Sequence, residues 1–93
     1  MEQKFIAAFQ ANREKAAELG VRIRPQEDGE VLKLAHRNLS SHRQSDGFAL
    51  LAEKGHLELS LEAMAVDKRF TALFTDEEAN EALNRLVEAG YRF

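Results

Sequence analysis

The sequence predicts an α+β fold: an N-terminal helix, two β-hairpins forming a small antiparallel sheet, and a C-terminal helix. Three observations lead there. Helix-like patterns at both ends stop at Gly20 and Gly90. Between them the apolar period shortens from about 3.6 toward 2. Two short polar stretches closed by glycine, "QEDG" and "AEKG", fall where hairpin turns would be needed.

The first helix is expected over residues 2–19. Phe5, Ile6, Phe9, Ala16 and Leu19 approximate one face, and Ala7, Ala8, Ala11 and Ala17 add intrinsic propensity. Gly20 suits the left-handed residue that ends many helices. "VRIRP" then alternates, "QEDG" offers a type I turn with a glycine bulge, and "EVLKLA" resumes the apolar content. The arrangement recurs in "FALLA", "AEKG" and "HLELSLE", the last being the strictest alternation in the chain. Val21, Ile23, Leu32, Leu34, Phe48, Leu50, Leu57, Leu59 and Leu61 would face the two helices from the sheet. The final helix is expected over 76–89. Ala79, Ala82, Leu83, Leu86 and Val87 keep helical spacing, and Thr75 with Glu78 forms a capping-box signature.

A mostly α, winged-helix-like arrangement is the alternative. "DGFALLAEKG" reads equally as a short helix begun by Asp46 and ended by Gly55, and "SLEAMAVD" as another begun by Ser60. A helix-turn-helix built this way would present Asp76, Glu77, Glu78 and Glu81 where DNA readers place donors, which counts against it. The segments "LGVRI" and "AGYRF" echo one another, with Tyr91 and Phe93 read as a terminal edge strand or a return onto the core.

Ninety-three residues make a single compact domain, 1–93, with room for one core and none for a deep cavity. With 44% hydrophobic and 31% charged residues, the chain has the composition of a soluble globule. It holds no cysteine, which excludes disulfides and thiolate chemistry. No apolar run reaches the length of a signal peptide or a membrane span, so a cytoplasmic protein is expected. The net charge of −3 is unevenly laid out: residues 1–20 are balanced, 21–45 carry +2, and 46–93 carry −5.

Catalytic and metal chemistry find little support. His36, His42 and His56 lack metal-ligand spacing, and neither a metal nor another cofactor is expected. Ser40 or Ser41, His42 and Asp46 fall close together but without a nucleophile-elbow pattern. Glu58 and Glu62 would stand about 13 Å apart on a strand, too far for acid–base cooperation.

The basic stretch is the sharper candidate. Arg22, Arg24, Lys33, Arg37 and Arg43 could gather along one sheet edge around "HRNLSSHRQS" and contact phosphate or an acidic partner. Phe70, Leu73 and Phe74 form a second candidate, an apolar knob that either completes the core or anchors a partner. The expected function is a small intracellular, non-enzymatic interaction or regulatory module acting through protein contacts or self-association. The alternative is a nucleic-acid-associated protein that touches phosphates through residues 22–43.

Overall fold

The computed structural model describes residues 1–41 and 43–91, and within them the fold is helical throughout. Five α-helices follow in order: α1 (Glu2–Glu18), α2 (Asp28–Ser40), α3 (Phe48–Lys54), α4 (Leu61–Ala65) and α5 (Asp76–Glu88). Single 3-10 turns at Leu57–Leu59 and Thr71–Leu73 precede α4 and α5. The described residues contain no strand, so the two hairpins and their sheet are absent and the mostly α alternative fits. No helix among the described residues is long and apolar enough to cross a membrane.

The first hairpin fails because the apolar pattern of "EVLKLA" does not stop at Ala35. Val31, Ala35 and Leu39 recur every fourth residue, and all three are buried along one face of α2. Asp28 and Glu30 occupy the first turn, where the helix dipole favours negative charge. Gly29 sits inside that turn and is not among the glycines with positive φ, so no bulge forms.

The second hairpin resolves into α3 and α4, close to the boundaries of the competing reading. Ser60 caps α4, its Oγ accepting from the Ala63 amide at 3.1 Å. Asp46 does not cap α3; Gly47 occupies that position and Asp46 turns toward Arg24. The three leucines of "HLELSLE" all go inward, but from a 3-10 turn and the first residue of α4. Leu50, expected on the sheet's inner face, is 45% exposed.

Three helices end alike, and this explains the sequence echo. At Gly20, Gly55 and Gly90 φ lies between +76° and +87°. The next amide reaches back five residues: Val21 N to Ala16 O at 2.9 Å, His56 N to Leu51 O at 2.8 Å, and Tyr91 N to Leu86 O at 2.9 Å. This is the Schellman closure, in which an apolar residue after the glycine packs onto the last turn. "LGVRI" and "AGYRF" are two instances of it, with Val21 fully buried and Tyr91 half-buried. Residues 92 and 93, including Phe93, lie outside the described residues.

The core lies along both ends of α1. Phe5 and Phe9 meet Val31, Ala35, Leu61, Met64 and Phe70 at one end. Ala16 and Val21 meet Phe48, Leu51, Leu57, Leu59 and Leu86 at the other. A third, smaller cluster joins Leu39, Ala65 and Ala82. The five-residue α4 is central, packing against α1, α2 and α5.

Gly47 ties the α3 loop to the segment after α1. Its φ is +76°, and a Cβ there would meet Val21 Cγ1 at 2.6 Å. Gly47→Ala should therefore cost more than the ~1–2 kcal/mol of left-handed strain alone. Gly20→Ala, at φ +82° with nothing within 4 Å of the new carbon, should cost only that strain. Urea midpoints of the two variants test the order.

Candidate functional site

The chain from Val21 to Glu27 forms neither helix nor strand and links α1 to α2. Pro25 disfavours helical geometry for Arg24, so the alternation read in "VRIRP" survives without a hairpin. Val21 is buried and Ile23 half-buried, while Arg22 and Arg24 point to solvent. Arg24 then reaches the loop before α3. Its Nε and Nη2 donate to the two Asp46 carboxylate oxygens at 3.1 and 3.3 Å, and its backbone N–H bonds Asp46 at 3.4 Å. That hydrogen bonding, with the charge of Asp46 behind it, raises the Arg24 pKa above its ordinary value.

Arg37 projects from the last turn of α2 and Arg43 from the loop that follows; both are exposed. With Arg24 they line one open groove of about 460 Å³, together with Leu34, Asn38, Ser41, Gln44 and Asp46. Neither Arg37 nor Arg43 makes a salt bridge among the described residues. Among the described residues there is no sheet edge to gather the basic residues, yet three of the five line this groove. Arg22 faces a separate depression beside Arg13 and Pro25, and Lys33 pairs with Glu30 at 3.8 Å on the outer face of α2. His42 lies outside the described residues.

A narrow apolar crevice adjoins the groove. Phe9, Ile23, Leu34, Leu59 and Leu61 line about 20 Å³ of space. Leu34, Asn38 and Asp46 line both the crevice and the groove.

The loop carrying Arg43 is clamped from below by charges that the sequence pattern did not disclose. Glu62 is completely buried and Arg85 is 7% exposed. Arg85 Nη1 donates to Glu62 Oε2 at 3.1 Å and Arg85 Nε to Glu81 at 2.7 Å. Arg85 Nη2 donates to the Asn38 and Ser41 carbonyls at 2.9 and 2.7 Å, closing the C-terminus of α2. Glu62 in turn accepts from the Ser45 backbone at 3.0 Å and from the Ser45 hydroxyl. The two charges thus fix both ends of the 41–45 loop, and no buried side-chain polar atom of the described residues lacks a partner.

This clamp rotates α5 relative to expectation. Its buried face is Glu78, Ala82, Arg85 and Leu86, whereas Leu83 and Val87 are 38% and 59% exposed. Glu78 completes the expected capping box, its Oε1 accepting from Thr75 N at 2.8 Å, and its Oε2 meets His36 Nδ1 at 2.6 Å. Burial pushes the Glu78 carboxyl up, but the Thr75 amide, the His36 ring and the Thr75 hydroxyl outweigh it and leave the pKa below its ordinary value of 4.5. A lowered folded-state pKa adds stability above the ordinary value and loses it as pH falls through the folded one. Glu78→Gln should therefore cost about 1–2 kcal/mol near neutral pH. The gap to the wild type should narrow on acidification below pH 4.5, as paired thermal melts would show.

The remaining candidates are occupied otherwise. Ser41 Oγ donates to Asn38 O at 3.0 Å and accepts from Arg43 N at 3.3 Å, and Asp46 holds Arg24, so the serine and aspartate do not face each other as a triad would require. Glu58 is exposed and pairs with His56 at 2.9 Å, while Glu62 is buried in the clamp. Among the described residues no three His, Asp or Glu side chains gather as a metal site. Phe70 is 1% exposed in the core, with Leu73 and Phe74 half-buried beside it. No protein-family description matches the chain, and no curated protein or solved structure matches it.

Proposed function

We propose that the chain is a small, non-enzymatic interaction module of the cytoplasm that docks an acidic segment of a partner protein across the groove between Arg24, Arg37 and Arg43. Arg37 and Arg43 line the same groove, both without a salt bridge among the described residues, and this carries the reading. Arginine forks suit carboxylates in one or two hydrogen bonds each. The Arg85–Glu62 clamp anchors Ser41 and Ser45 on either side of Arg43 before binding, which lowers the ordering cost of association. A cysteine-free chain is compatible with a reducing compartment.

Nucleic acid is less well suited. Phe9, the phenylalanine that borders the site, is 5% exposed, and Phe5, Phe48 and Phe70 are buried more deeply still. Single strands bind through stacking platforms, and none lines this groove. Fluorescence anisotropy with short aspartate-rich peptides should show binding that weakens about tenfold or more in Arg37→Ala with Arg43→Ala, a loss of at least ~1.4 kcal/mol. Titrations with mixed-sequence DNA and RNA run beside it. Steeply salt-dependent nucleic-acid binding without peptide binding would replace this reading with the phosphate one.

A further inference from the structure

We infer that the crevice beside the groove is a second recognition element, selecting acidic segments that carry a small aliphatic side chain next to the carboxylate. The inference rests on the groove being the dock for such a segment.

Its chemistry is opposite to that of the groove and suits a different part of the same ligand. Five of its lining residues, Phe9, Ile23, Leu34, Leu59 and Leu61, are apolar. Most of the polar groups at its margin are already engaged. Asn38 Nδ2 donates to Leu34 O at 3.3 Å, Asp46 holds Arg24, and Ser45 bonds Glu62. A water there would find few partners, whereas a methyl group would lose nothing by entering.

Size sets the selectivity. About 20 Å³ is close to the room that one water or one methyl-sized group needs, so the alanine methyl fits and the larger side chains of valine, leucine and phenylalanine do not. Leu34 and Asp46 belong to both spaces, which places such a tip beside the Arg24–Asp46 pair while the neighbouring carboxylate lies among Arg37 and Arg43. A carboxylate supplies the charge complementarity and an adjacent methyl the shape, the usual division of labour in a pocket with few polar groups.

The test uses short dye-labelled peptides with two adjacent aspartates, identical except for the next residue: glycine, alanine, valine, leucine or phenylalanine. Each methyl accommodated should tighten binding about fourfold. Alanine should exceed glycine, and valine, leucine and phenylalanine should fall back. Leu34→Ala should enlarge the crevice and move the optimum to leucine. Asn12→Phe, from a half-exposed position on its edge, should erase the preference while leaving salt-dependent binding intact. Equal affinity across the series, still weakened by Arg37→Ala with Arg43→Ala, would overturn the crevice inference and leave the groove standing. No binding by any acidic peptide would remove both.

Discussion

Arg85→Met should destabilise the fold by about 3–5 kcal/mol in urea unfolding, because it strands a fully buried carboxylate. Domains hold only about 5–15 kcal/mol in total, so the variant should be partly unfolded at ambient temperature or close to it. Glu62 would keep the Ser45 hydroxyl and amide as partners and lose its counter-charge. The Asn38 and Ser41 carbonyls would lose a charged donor each at the end of α2.

The double variant Glu62→Leu with Arg85→Met gives the sharper result. For a bare buried ion pair, replacing both partners with apolar groups is often neutral or stabilising. Here the pair also satisfies backbone groups, so the double variant should remain less stable than the wild type. The Ser45 amide and the two carbonyls would need partners, at roughly 1–3 kcal/mol for each left buried and unmet. A double variant as stable as the wild type would mean that the loop does not depend on the clamp. Peptide binding should weaken along with stability in Arg85→Met, since Arg43 sits on the loop that the clamp holds.

What the sequence disclosed depended on whether one local signal was sufficient. Helix α1 and helix α5 were legible because a glycine with a Schellman closure ends each, and Thr75 with Glu78 starts the second. The same closure at Gly55 looks like a hairpin turn in the sequence because "FALLA" is too short for its period to distinguish helix from strand. Helix α2 is hidden for a related reason: its apolar recurrence needs Leu39, four residues beyond Ala35, where the strand pattern stops. The clamp was hidden for a different reason. Binary patterning assigns Glu62 and Arg85 to solvent, and only burial on facing helices reveals that each satisfies the other. Arg37 and Arg43 were found by charge, but the neighbour that brings Arg24 to them is Asp46, 22 residues away from it in sequence.

Phe70→Ala should cost about 3–5 kcal/mol, and its effect separates core from anchor. The ring is 1% exposed and meets Phe5 edge-on with centroids 5.3 Å apart, among Phe9, Val31 and Met64. Arg69 covers its outer side, with the guanidinium carbon 4.8 Å from the ring centroid. Truncation would leave a cavity at the junction of α1, α2 and α4, where the short α4 has little freedom to collapse. Phe74→Ala should cost less, because Phe74 is only half-buried, with ring centroids 5.6 Å from Phe5 and 5.3 Å from His36. Val87→Ala, at 59% exposure on the outer face of α5, should fall within about 0.5 kcal/mol of the wild type. Urea midpoints in the order Val87→Ala, Phe74→Ala, Phe70→Ala, from least to most destabilised, would fix Phe70 as core and confirm the rotation of α5. A folded Phe70→Ala with an unchanged midpoint and lost self-association would instead return Phe70, Leu73 and Phe74 to the role of an anchor.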